Sequence, residues 1–367
     1  MTSSTQNHHD HHATSAPPPT PSSTTIAATS PSTDLLSRLL HRLPPNLSTT
    51  PTLLRRRSSL TNTATTISPP LVPFTDLNST LPATLSSISK LGYFQITNHP
   101  IPSQLAHSAE SDSLFIFQLN HHKIHQHFPK NWPLGFDDDD DDDNDTLFLD
   151  SCCSTESTEL SLTNLREFTR EMEKIGLTVV EALLCAMGLQ NPFVDDVTSV
   201  CSLMLLSEGS GEKMVGSGKL YPYVVGLHYQ IRKGRWSLLS DSGPVYVEPQ
   251  IDSILVTLGD IAQVWSNGKL NKVRGKPTQN MEEDNNTSNI LMSLLVTLPL
   301  ESTVSTLQLR SVTGKEGDKN HENRNDDDDE LKEDSLFNSF SFEDYAWRVY
   351  HERVPRKDPL NRYHTLN

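Results

Sequence analysis

The stretch Ile254–Pro277, ILVTLGDIAQVWSNGKLNKVRGKP, constrains the fold most. It reads as an apolar strand, a break at Gly259-Asp260, a turn at Ser266-Asn267-Gly268 and a second strand. From Cys201 to Leu300 the chain continues in this manner, with short strands and turn residues between them, including the hairpin IRKGRWSLL. Upstream, LVPFTDLNS and the segment Leu85–Pro102 read as strand, short helix, strand and turn. Gly92-Tyr93-Phe94-Gln95-Ile96 fits a buried strand, which Pro100 and Pro102 end. Leu165, Phe168, Met172, Ile175, Val179 and Leu183 recur at three- and four-residue intervals and line one face of a long helix. Thr163 or Ser161 is placed to cap that helix and Gly188 to stop it. The pattern is mainly β with flanking helices.

At 367 residues the chain can bury a large core without staples, yet its hydrophobic content of 35% implies that much of it stays outside that core. The formal charge of −16 is confined to two runs, 137–150 at −9 and 316–334 at −7. The remainder is neutral, so the total charge describes two solvated loops and not a global surface. Calcium or basic protein partners are the alternative reading of these runs. Residues 1–68 are rich in Ser, Thr and Pro and read as a disordered tail. Asp10 and Asp34 are the tail's only acids against five arginines, a composition that organelle transit peptides share. Within it, Arg55-Arg56-Arg57-Ser58-Ser59 is a candidate phosphorylation site. Four cysteines make neither a disulfide framework nor a metal-ligand spacing, which fits a reducing compartment. No apolar run reaches the ~18 residues of a membrane span, and no interleaving of basic and aromatic residues suggests nucleic acid.

The quoted strand–turn–strand resembles the plant 2-oxoglutarate/Fe(II)-dependent dioxygenase family. There, a segment close to V-x-x-G-D-x-x-x-x-x-S-N-G-x-x-x-S-V-x-H-R-V carries the distal iron-binding histidine. GYFQITNHPIP resembles the family's G-F-F-x-x-x-N-H-G-I strand, with Pro100 at the usual glycine. Lys357-Asp358-Pro359-Leu360-Asn361-Arg362-Tyr363 resembles its K-D-P-L-x-R-[FY] tail. The resemblance covers about 71–309 and 336–364. It implies a double-stranded β-helix (jelly-roll) barrel of the isopenicillin N synthase-like type. The implied organisation is a tail at 1–68, an N-terminal module at 69–195 with an acidic insertion at 137–150, and the barrel at 196–310. An acidic disordered insertion at 311–335 and a C-terminal helix and tail at 336–367 complete it.

The resemblance also implies chemistry that these residues do not supply. Family members hold Fe(II) with His-x-Asp and the distal histidine, and grip 2-oxoglutarate with Arg-x-Ser. The distal histidine position is Gly275. The segment Leu205–Val225, where His-x-Asp is expected, has neither residue, and His228 is the only histidine between His127 and His321. The anchor positions are Asn289 and Leu291, and no Lys or Arg occurs from Pro277 through Leu309.

Other candidates have plainer readings. His228 replaces the polar residue of the family's Gly-Leu-Gln-Val strand and reads as a hydrogen-bonded barrel residue. His121 and His125 have a metal-compatible helical spacing, but no carboxylate or cysteine joins them at fixed spacing. His8-His9-Asp10-His11-His12 would bind transition metals adventitiously. GSGEKMVGSGKL lacks the first glycine and the Ser/Thr of a phosphate loop, with Lys213 and Leu220 in those places. Arg232, Lys233 and Arg235 surround a turn at Gly234 and are expected to be solvated.

The expected protein is therefore a degenerate, non-catalytic member of that family, with no cofactor and a barrel kept for binding a small molecule or a protein. Tyr221, Tyr223, His228, Arg274 and Lys276 are the candidate pocket residues for an anionic or aromatic ligand. The alternative is an active oxidoreductase of a small plant metabolite, using Fe(II) and 2-oxoglutarate at a non-standard site involving His99 or Glu208. The expected location is cytoplasmic or nuclear, with a transit peptide in 1–68 as the other option.

Overall fold

A computed structural model describes residues 66–137, 145–156, 160–193, 199–209, 220–240, 243–278, 289–310, 335–351 and 358–365. Most of the expected tail, the glycine-rich connection 210–219 and the acidic run 311–334 lie outside these residues, as does the candidate phosphorylation site.

The described residues begin with the short strands β1 (Thr66–Ile67) and β2 (Leu71–Pro73), and β1 falls within the expected tail at 1–68. Helix α1 (Leu77–Leu91) follows, longer than the short helix expected, and Gly92 at φ 77° turns the chain into β3 (Tyr93–Thr97). Two helices that sequence periodicity did not reveal come next, α2 (Ser103–Phe117) and α3 (His121–His127). The hairpin β4 (Gly135–Asp137) and β5 (Thr146–Asp150) takes up both ends of the expected acidic insertion. Its cause is the apolar run Leu147-Phe148-Leu149, which is buried and pairs across to β6 (Cys201–Gly209). Only 138–144 of that insertion falls outside the described residues.

Helix α4 (Thr163–Ala186) buries the six periodic residues named above. Its cap differs from expectation. Neither Thr163 nor Ser161 caps it; the Asp112 carboxylate on α2 accepts from Asn164 N at 3.0 Å and Leu165 N at 3.1 Å. A negative charge there satisfies two open amides and suits the helix dipole. Gly176 lets the helix press onto the sheet, since a Cβ there would stand 2.6 Å from Val296 Cγ2.

The remaining strands are β7 (Val225–Tyr229), β8 (Arg235–Ser240), β9 (Gly243–Val247), β10 (Ile254–Leu258), β11 (Val273–Thr278), β12 (Asn289–Thr297), β13 (Thr303–Val304) and β14 (Phe340–Ser341). Helix α5 (Asp260–Trp265) sits in the strand–turn–strand segment, and α6 (Phe342–His351) near the end. Among the described residues, one sheet has eight strands in the order β2-β3-β10-β7-β12-β6-β5-β4, a second has four, β1-β9-β8-β11, and β13 pairs with β14. Strands from the expected N-terminal module thus share one sheet with the expected barrel, and the boundary at 195/196 does not divide the structure. Tyr93 and Leu255 from the large sheet meet Trp236, Leu238, Val247 and Val273 from the small one in a buried cluster between the layers. The opposite face of the large sheet packs on the helices in the main core. Among the described residues, no helix is long and apolar enough to cross a membrane.

Candidate functional site

The inner face of the large sheet carries the barrel's one histidine. His228 lies on β7, with β10 and β12 paired to either side of it. Its Nδ1 is 2.7 Å from Ser293 Oγ and its Nε2 is 3.1 Å from Thr257 Oγ1. Trp236 from the small sheet lies against the ring, with centroids 4.5 Å apart. Thr257 Oγ1 also meets the Tyr223 hydroxyl at 3.0 Å, and that hydroxyl donates to the Val273 carbonyl at 3.1 Å.

The carbonyl sets the direction of the whole chain, because it can only accept. Tyr223 donates to it and so accepts from Thr257. Thr257 then accepts from His228 Nε2–H, and Nδ1 accepts from the Ser293 hydroxyl. The tautomer follows from the network. It leaves the ring with no free lone pair for a metal. Burial depresses the imidazole pKa to about 3, so the ring is neutral at physiological pH. Burial likewise raises the Tyr223 phenol, to about 12.

Gly275 stands opposite Leu238 in the β11–β8 ladder. A Cβ on Gly275 would lie 2.3 Å from Leu238 Cδ2, with Trp236 Cε3 at 3.5 Å. Leu238 has no exposed surface. The place where a histidine side chain would start is therefore filled by a packed leucine. Leu291, at the expected serine of the anchor, packs against the same inter-sheet cluster. The side chains of Asn289 and Lys276 lie outside the described residues.

The remaining pocket candidates do not converge. Tyr221 is buried in the main core against Trp132, Phe148 and Phe342. Arg274 points away from Gly275, because successive residues of a strand face opposite sides. With Lys272 it holds the buried Asp260 carboxylate, at 2.9 Å from Arg274 and 2.7 Å from Lys272. Lys272 Nζ also meets Asp358 of the C-terminal tail at 2.6 Å. Burial alone would raise the Asp260 pKa, but the two cations beside it hold the carboxyl well below the usual carboxylate range. Expected as a contact for an anionic ligand, Arg274 already has an anion. Period-two reading of Lys272-Val273-Arg274-Gly275 would have found this, since Arg274 shares parity with Lys272.

His99 follows β3 and places Nε2 3.1 Å from the Asp252 carbonyl. Glu208 pairs with Ile290 and shares its face, which is the helix-covered side of the sheet. Arg232 and Lys233 are exposed at the turn, as expected, and the two arginines also have carboxylate partners: Arg232 grips buried Glu110 through its two terminal nitrogens, and half-buried Arg235 meets Glu248 at 3.1 Å. Structure also brings a carboxylate to the α3 histidines, with Asp145 Oδ2 3.4 Å from His121 Nε2. Among the described residues, no group of three or more His, Cys, Asp or Glu side chains could hold a metal ion.

No protein-family model matches the sequence. Solved structures do. A rice dioxygenase for auxin oxidation matches with a TM-score of 0.58 at 17% identity, covering 81% of this chain and 99% of that one. JOX2, in complex with 2OG, Fe and JA, matches with a TM-score of 0.61 at 14% identity, covering 82% and 90%. A full-length protein of Neurospora crassa, in complex with alpha-KG and thymine, matches at 0.57 and 13%, covering 78% and 97%. The chain has the 2-oxoglutarate/Fe(II) dioxygenase fold. At these identities the likeness is one of fold, and chemistry must be judged from the residues.

The described residues do not fit the groups that this dioxygenase fold implies. A facial iron site needs two imidazoles and a carboxylate converging with open positions. Here the one barrel imidazole has both nitrogens engaged, and the distal position is a glycine under a packed leucine. A 2-oxoglutarate anchor needs a free guanidinium or ammonium on the inner face, and Arg274 points the other way into a carboxylate pair. The described side chains between the sheets form a packed apolar cluster with a hydrogen-bonded polar seam.

Proposed function

We propose that this chain is a non-catalytic protein of dioxygenase fold, kept as a binding scaffold. The observation that carries the reading is the state of His228: Ser293 and Thr257 occupy both ring nitrogens, in a face where Leu238 covers the distal position. The packed space between the sheets favours a role for the outer surface over a ligand inside the barrel. JOX2 and the Neurospora crassa protein are seen with 2OG and alpha-KG, two names of one compound; the described residues of this chain present no matching anchor for it.

The test is anaerobic calorimetric titration of the full chain with Fe(II), followed by a 2-oxoglutarate turnover assay of the metal-loaded protein. The expected result is no iron-dependent consumption of 2-oxoglutarate, and no stoichiometric iron site sensitive to His228→Gln. Iron-dependent turnover, or a low-micromolar site that His228→Gln abolishes, would overturn the proposal.

A further inference from the structure

We draw no further inference here: the strongest candidate, the half-exposed Trp347 ridge of helix α6 with the His351 and Trp132 rings beside it, is an unpartnered aromatic face, and nothing among the described residues shows what covers it.

Discussion

At the scale of single residues, the space around Gly275 decides more than the missing imidazole does. Gly275→His would add one ligand and also drive a Cβ into Leu238. Overpacking of this kind costs about 1–3 kcal/mol. The expected outcome is a lower urea midpoint and no gain in Fe(II) affinity. Pairing it with Leu238→Ala should recover part of the loss attributed to the clash, so that the double variant is more stable than the sum of the singles predicts. His228 makes a pH prediction whose sign follows from its burial. Its folded pKa of about 3 lies below the ordinary 6.5, so the unfolded chain takes up the proton first. Stability attributable to this residue is full above about pH 6.5 and falls by about 1.4 kcal/mol per pH unit below it, down to the folded pKa. His228→Gln keeps a hydrogen-bonding side chain but cannot titrate. Its denaturation midpoints between pH 7 and pH 5 should decline less than those of the wild type; parallel profiles would refute the assignment.

At the scale of elements, β11 shows how far the sequence could be read. Its place in the fold followed from the strand–turn–strand pattern around Ser266-Asn267-Gly268. So did β3 from GYFQI and the buried face of α4 from its periodicity. These are local signals, and periodicity states them directly. Pairings between distant residues have no such local signature. Asp112 caps α4 from 52 residues away, and Arg232 answers Glu110 across 122. The sequence showed only an unused Thr163 and a cationic turn. Arg274 entered the candidate pocket through its nearness along the chain to the distal position Gly275, although strand parity sends the two to opposite faces. At the start of β11, Arg274 and the preceding Lys272 share the carboxylate of Asp260, which is buried at the start of α5. Removing one partner of a buried ion pair leaves an uncompensated charge and costs about 3–5 kcal/mol. Asp260→Asn should therefore destabilise the protein by roughly that amount in a urea titration at pH 7. The difference should shrink as pH falls below the ordinary carboxylate range. There the unfolded wild type binds the proton that folded Asp260 refuses, and the stability the charge contributes is lost.

At the scale of the whole molecule, the end of the chain closes what the barrel strands begin. Residues 335–340 and 358–365 flank α6 and bind each other: Asn338 N donates to the Tyr363 carbonyl at 2.7 Å, and Thr365 N to the Leu336 carbonyl at 3.0 Å. The Tyr363 ring lies on Phe340, with centroids 4.2 Å apart, and against Tyr345. Asp358 joins this strap to β11 through Lys272, and its carboxylate also accepts from Leu360 N. Leu360 is 1% exposed. Deleting residues 358–367 would thus remove a core leucine, uncover the Phe340 and Tyr345 rings, and leave Lys272 with one carboxylate. Burial of a leucine is worth about 1.5–3 kcal/mol, and the weakened ion pair adds to that loss. The truncated chain should unfold at a clearly lower urea concentration than the full chain, with the same m-value if the barrel still unfolds as one unit. Asp358→Asn separates the two contributions, since it keeps Leu360 and the tyrosine stack while removing the charge. A small loss for Asp358→Asn beside a large one for the truncation would assign the closure to packing. Similar losses for both would assign it to the ion pair. Unchanged stability in the truncated chain would mean that the strap is an ornament of the fold, and that α6 is held by its own buried face alone.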